Sequence, residues 1–391
     1  MSSTTSITAS DAREASGYRG VLRDVLWFLM PYALVGVAAT TVLEATGELI
    51  SVDTVERLRA IGVPFIYQSK LSDHTYRLKL TAAAARQPQI LVLGPSRMLQ
   101  WRSAMFRPYS FYNAAQVANT QSDFRRFFDD VGYSPTVVLF SLEFFTLHPT
   151  WDEIFRNRSY ADRGGLGSAE QATILRKLWP LVVEDPALLF RWPREPIYGL
   201  RAFGLRAVET GAGTRRDGSW HYGGIIAGWP GQGVDSIEET LARIRVGAPP
   251  FPAADQLDPD QMQELERFAR VARERGIRLI GITPPFSPEA AEALDRSPRH
   301  GNWRQFQSDA TADWIRAQGI QYFNYTRLSS FDGRKEEFVD PFHPSEPASV
   351  RMLLAMLRDP TIRLWLPGID ENDLRHHLAA ATRYEVYRNE Y

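Results

Sequence analysis

Residues Gln89-Ile-Leu-Val-Leu-Gly94-Pro-Ser96-Arg97 set a short, unbroken apolar run against a glycine and a serine. Four to eight apolar residues closed by turn formers suit a strand buried on both faces, the kind found in parallel sheets. The same grammar recurs outward. Ser110-Phe-Tyr-Asn113 reads as a second strand, Phe124 to Asp130 as a helix stopped near Gly132 and Pro135, and Thr136-Val-Val-Leu-Phe-Ser141 as a third strand. Asp258 to Arg275 has a helix start, apolar Met262, Leu265, Phe268 and Val271, and Gly276 as its stop. Ile277–Ile282 comes next as a strand ended by Thr283-Pro-Pro, then a helix over 303–317 closed by Gly319, a strand Ile320–Asn324 and a helix over 347–358. Strands alternating with helices predict an α/β fold with a doubly wound parallel sheet. Ligands bind such sheets at the carboxyl ends of the strands.

The chain has 391 residues, and its 44% hydrophobic and 23% charged content is that of a globular protein. It contains no cysteine, which excludes disulfides, thiolate nucleophiles and iron–sulfur clusters. Net charge is −1, so no basic excess points to nucleic acid. No spacing of His, Asp and Glu demands a metal, and no phosphate loop or dinucleotide fingerprint is present, so no cofactor is expected.

Residues 25–43, from Val25 through Trp27, Pro31 and Tyr32 to Leu43, carry no charge over 19 positions. A helix needs about 20 such residues to cross a bilayer. Arg13, Arg19 and Arg23 precede the run, and Glu44, Glu48, Asp53 and Glu56 come after it. Positive-inside logic predicts a cytoplasmic N-terminus and a periplasmic or extracellular body, held in the inner membrane by one pass. A cleaved signal peptide and a buried core helix are the competing readings. The domain expectation is therefore a polar, flexible N-terminus over 1–24, an anchor over 25–43 and a connector of helical character over 44–88. An α/β domain then occupies 89–358, interrupted by an insertion of short helices and long loops at 150–256, and a helical extension covers 359–391.

Two motifs carry candidate chemistry. Gly94-Pro-Ser96 puts a hydroxyl on a tight turn at the end of the first sheet strand, where Gly94 permits the sharp bend. The plain alternative is a helix-capping serine. Far away, Asp340-Pro-Phe-His343-Pro344 holds an acid and an imidazole three residues apart, with prolines keeping the stretch out of a helix. Such a loop lets the carboxylate fix the imidazole tautomer, although Asp and Pro also build ordinary surface turns. The serine lies after the first strand and the Asp–His pair after the last, so a doubly wound sheet delivers both to one edge. Ser96 is then the nucleophile, His343 its general base and Asp340 the group that orients His343. Arg97 is either an anion-binding group for substrate or a salt-bridge partner of Glu143. Arg215 to Tyr222, with Trp220, is a substrate wall or an inward-packed loop.

Gly94-x-Ser96-Arg97 early and Asp340-x-x-His343 late resemble the first and last blocks of the SGNH, or GDSL-type, hydrolase superfamily. With the anchor, they look most like its membrane-anchored branch, which serves O-acylation of cell-surface polymers in alginate acetylation and teichoic-acid D-alanylation. The resemblance implies a flavodoxin-like sheet, a serine nucleophile and acyl-ester chemistry outside the cytoplasm. It also implies an oxyanion hole, to which the backbone N–H groups of Ser96 and Ala118 would contribute, Ala118 standing where the family has glycine. The third block normally holds an asparagine; here Phe140-Ser-Leu-Glu143-Phe has none, and Asn113 or Asn119 is the candidate replacement. The function so implied is acyl transfer, as an O-acetyltransferase or acylesterase, to an extracytoplasmic polysaccharide or glycan, with a membrane-bound partner as acyl donor. The alternatives are a non-catalytic scaffold or glycan-binding subunit that kept the fold, and a plain secreted esterase.

Overall fold

The computed structural model describes residues 9–49, 51–62, 64–70, 75–156, 201–229 and 235–388, with short helical pieces at 175–176, 179–180 and 183–184. Among these residues nine strands form: β1 Phe65–Tyr67, β2 Ile90–Leu93, β3 Phe111–Asn113, β4 Val137–Ser141, β5 Arg201–Phe203, β6 Ala212–Thr214, β7 Trp220–Tyr222, β8 Arg278–Thr283 and β9 Ile320–Asn324. Five of them make one sheet in the order β3-β2-β4-β8-β9, and every neighbouring pair is parallel. Counted along the chain within that sheet, the order is 2-1-3-4-5, a doubly wound arrangement whose switch point lies between β2 and β4.

Alternation along the strands feeds two cores. Leu91, Leu93, Val138, Phe140 and Leu279 face one side, against Phe124 and Phe128 of helix Gln121–Val131 and Leu265 and Phe268 of helix Pro259–Glu274. Ile90, Val92, Val137, Leu139, Ile280 and Ile282 face the other, against helix Glu346–Met356. The helix stops expected from sequence are in place, with Gly132 and Gly276 both at positive φ and Asp258 capping its helix through Asp260 N. The helix expected over 303–317 is two, Gly301–Phe306 and Asp309–Ala317. Ser308 breaks it, because its hydroxyl caps the second helix by accepting from Thr311 N at 3.2 Å.

Two segments placed outside the α/β body by sequence pack onto it. Helix Thr75–Arg86, in the expected connector, buries Ala82 and Ala83 in the first core. The expected C-terminal extension forms helices Pro360–Trp365 and Glu371–Ala379 and buries Ile362, Leu366, Leu374 and Tyr387 in the second.

A second sheet, in the order β5-β1-β6-β7, joins the connector to the insertion. Strand β1 runs parallel to β5 and antiparallel to β6. The described part of the insertion therefore contributes strands as well as helices. The β6–β7 hairpin docks on the body: Asn113 N donates to Asp217 O at 2.8 Å, Trp220 N to Leu99 O at 3.0 Å, and the Arg102 guanidinium bridges Asp217 and Glu346. Trp220, half-buried, packs on the second core. The sequon Asn157–Ser159 and His74 lie outside the described residues.

The N-terminal helix spans Ala9–Ala45, so it starts within the segment expected to be a polar, flexible N-terminus. Its part Gly20–Ala45, 26 residues containing an 18-residue stretch of mean hydropathy 1.8, is long and apolar enough to cross a membrane. Val25 to Met30, Tyr32, Leu34, Val35 and Val37 are exposed rather than packed on the body. Among the described residues only the end docks: Val42 and Leu43 are buried, Thr46 O accepts from Gly204 N, and buried Glu48 accepts from Ser69 Oγ, Lys70 N and Leu205 N.

Candidate active site

Strand β2 ends at Leu93, and Gly94 turns the chain at φ +132°. A Cβ there would lie 2.6 Å from Ser141 Oγ and 2.9 Å from Met98 Cγ, so the turn admits only glycine. The chain then makes a single 3₁₀ turn, Ser96–Met98, of which Ser96 is the first residue rather than the cap of a helix. A turn this short carries little dipole. The contribution of this turn to an oxyanion is the Ser96 N–H itself, which donates to no other group among the described residues.

Beyond β9, Phe338 pairs with Pro344, and Val339 N donates to His343 O at 2.9 Å. This pinch closes a tight loop with Asp340-Pro-Phe-His343 at its tip. Asp340 Oδ1 accepts from Phe342 N and His343 N, each at 2.8 Å, while its Oδ2 faces His343 Nδ1 at 2.7 Å. His343 Nε2 lies 2.7 Å from Ser96 Oγ. The hydroxyl, the imidazole and the carboxylate thus form one hydrogen-bonded row across 247 positions of chain. Their side chains are largely but not fully enclosed, 21% exposed for His343 and 11% for Asp340. Burial acts to raise the Asp340 carboxyl, but His343 and the two backbone N–H groups outweigh it and hold the carboxyl below its usual range. An ionised Asp340 is the form that fixes Nδ1–H and leaves Nε2 free to accept from serine.

The loop after β3 lies against the serine turn, since Gln116, at φ +73°, donates its N–H to Gly94 O at 2.7 Å. Ala118 is buried in that loop, and its N–H donates to nothing among the described residues. The loop is held from behind by Lys79, whose buried Nζ donates to Ala115 O at 2.5 Å, and by Trp151, whose Nε1 donates to Asn119 O. Burial, then the charge of Arg59, pushes the Lys79 ammonium down to about 7. The two asparagines expected to replace the missing third-block residue are used otherwise. Fully buried Asn113 donates to Met98 O and Trp101 O and accepts from Ala115 N, so its amide builds the turn and has no hydrogen left for substrate. Asn119 Nδ2 donates to Gln116 O at 3.2 Å inside its own loop.

Arg97, expected to bind a substrate anion or pair with Glu143, does the second: it is 1% exposed, and its Nη1 lies 2.6 Å from Glu143 Oε2. Its Nη2 donates to Pro284 O and Pro285 O, and the guanidinium lies over the rings of Phe286 and Phe342. No substrate reaches it. Sequence reasoning missed Phe342, which packs edge-on against the His343 ring at 4.9 Å. Tyr222, at the end of β7, belongs to the Arg215–Tyr222 stretch expected to be a substrate wall or an inward-packed loop, and burial, then the charge of Asp340, pushes its phenol up. His300, buried and bonded to Ser297 Oγ and Phe251 O, is a structural histidine.

The row of Ser96, His343 and Asp340 at the carboxyl edge, beside the switch point, can take a proton from the serine hydroxyl and pass it to a leaving group. No protein-family model, no curated protein and no solved structure matches the chain.

Proposed function

We propose that this protein is a membrane-anchored, serine-dependent acyl-transfer enzyme of SGNH type, an O-acetyltransferase or acylesterase acting on an extracytoplasmic polysaccharide. The observation that carries the reading is the Ser96–His343–Asp340 row, with 2.7 Å at each junction. Ser96 Oγ attacks an acyl ester while His343 Nε2 accepts its proton. The tetrahedral oxyanion is met by backbone N–H groups, those of Ser96 and Ala118 being unspent. His343 returns the proton to the departing alcohol. A sugar hydroxyl or water then attacks the acyl-serine, His343 again taking the proton, and Ser96 is regenerated. The apolar helix Gly20–Ala45 supports a single-pass anchor, and with it an acyl donor presented by a membrane-bound partner.

A non-catalytic scaffold that binds glycan is the second reading. It is favoured by Asn113, whose two amide hydrogens are both spent on Met98 O and Trp101 O, since losing one side-chain oxyanion donor costs about 10²–10³ in rate. Fluorophosphonate labelling separates the two. The wild-type protein takes one label and Ser96→Ala takes none, with an unchanged melting temperature. A wild-type protein that stays unlabelled, or a variant that still labels, overturns the enzyme.

A further inference from the structure

Arg97 is next in the chain to the candidate nucleophile, yet it faces into the protein. We infer that Arg97 is the positioning residue of this site, a buried guanidinium that bolts the serine turn to the histidine loop. The inference rests on the acyl-transfer reading above and adds to it the part that sets the distance between its two reacting groups.

Four segments converge on the one side chain. Ser96 is its neighbour in the chain. Glu143, just beyond β4, is its counter-ion at 2.6 Å. Pro284 O and Pro285 O, just beyond β8, accept from Nη2 at 2.7 and 2.6 Å. Phe342, within the Asp340–His343 tip, lies under the guanidinium at 4.9 Å, and Phe286 lies closer, at 3.8 Å. The segment after β8 holds the same tip by a second route, because Ser287 N donates to Pro341 O at 2.9 Å. The consecutive prolines leave carbonyls there that no strand neighbour takes up, and a cation with several donors is what satisfies them.

The choice of arginine comes from the geometry. A planar fork donates in two directions at once while its flat faces stack on aromatic rings. An ammonium in the same place would reach Glu143 or the carbonyls, but would present no face to Phe342 and Phe286. The strands are already fixed by their ladders. The tip that carries His343 lies outside the sheet, so the contacts through Phe342 and Pro341 decide where the imidazole stands. A misplacement of about 1 Å at such a junction costs on the order of 10² in rate. Arg97 is 1% exposed and touches no substrate, so its loss acts on the chemical step and not on binding.

The test compares wild type, Arg97→Lys and Phe342→Leu as full-length protein in detergent. The readouts are kcat and KM on p-nitrophenyl acetate, the rate of fluorophosphonate labelling, and the melting curve. The expected result is a fall in kcat of about 10² for Arg97→Lys and about tenfold for Phe342→Leu, with KM within twofold and labelling slowed in parallel. A folded Arg97→Lys with wild-type kcat overturns the inference, as does a rise in KM at constant kcat. If Arg97→Lys fails to fold, Phe342→Leu decides, and a wild-type kcat there overturns it. A wild-type protein that takes no label defeats the acyl-transfer reading itself. A labelled wild type beside fully active variants defeats the role of Arg97 alone.

Discussion

Asp340→Asn separates the orienting role of the carboxylate from its role in holding the loop. Asp340 Oδ1 accepts from two backbone N–H groups, at Phe342 and His343. In the variant those donors require the amide oxygen to take that place. The amide NH₂ then faces His343 Nδ1, where the carboxylate oxygen stood at 2.7 Å. A donor at that point forces Nδ1 to accept, so the ring proton moves to Nε2 and points at Ser96 Oγ. Nε2 can no longer take the serine proton. In Ser-His-Asp sites the wrong tautomer lowers kcat about 10⁴-fold, which is roughly 5.5 kcal/mol of barrier at 1.36 kcal/mol per decade. The fold loses far less, because every contact survives as a neutral hydrogen bond; the expected cost is about 1–2 kcal/mol. The assay is kcat on a nitrophenyl ester beside a urea titration. Asp340→Ala differs, since it orphans both N–H groups and should lose stability as well as activity, about 1–3 kcal/mol for each. The depressed Asp340 carboxyl also sets a pH signature. Its stabilising contribution is present above the unfolded carboxylate value of about 3.9 and fades as pH falls through the lower folded value. Asp340→Asn should remove that part of the acid sensitivity. An Asp340→Asn protein within tenfold of wild-type kcat would refute the tautomer argument.

Other outcomes are expected elsewhere in the molecule. Gly94→Ala forces a Cβ into Ser141 Oγ at a positive φ and should lose roughly 3 kcal/mol, read as a lowered urea midpoint; an unchanged midpoint would show that the turn relaxes freely. Lys79, held near 7 when folded, binds fewer protons than the unfolded chain between about pH 7 and 10.4, so wild-type stability should climb with pH across that window by up to about 5 kcal/mol. Lys79→Met should flatten that climb, and an equal slope in the variant would exclude Lys79 as its source. Glu48→Ala strips the acceptor from Lys70 N and Leu205 N where the N-terminal helix meets the second sheet. Limited proteolysis should then cut near residues 46–50 in the variant and not in wild type. The wild-type chain should stay with membranes through alkaline carbonate extraction, and release into the supernatant would rule out a spanning helix.

The inner strands of the main sheet were legible because β2, β4 and all of β8 but Arg278 are buried on both faces and read as apolar runs, whereas edge strand β9, half-buried at three of its five residues, was marked by the Gly319 stop before it. β2, β4, β8 and β9 all fall within a residue of where the sequence places them. The apolar N-terminal segment and the glycine stops were legible for an equally local reason, since length without charge and positive φ are written at single positions. The row of Ser96, His343 and Asp340 was legible one step less directly. Its members are far apart in sequence, and only the rule that parallel strands share a carboxyl edge joins them.

The second sheet escaped the sequence. Its strands are three residues long, too short for alternation to register, and β1 finds its partner β5 across the whole first half of the main sheet. The roles of Asn113 and Asn119 escaped it too, and for Arg97 it offered the Glu143 ion pair as one of two readings without the proline carbonyls. A side chain's type says what it can bond, but which acceptor it meets depends on what folding brings within hydrogen-bond reach. Asn113 met Met98 O and Trp101 O, and Arg97 met Glu143 and two proline carbonyls. Local pattern thus determined the elements of the main sheet, the candidate anchor and the choice of Ser96, His343 and Asp340 as candidate site residues. Tertiary packing alone decided which polar groups stay free for chemistry and which are consumed in holding the site together, because a hydrogen-bond donor buried in a fold must be satisfied by whatever lies nearest.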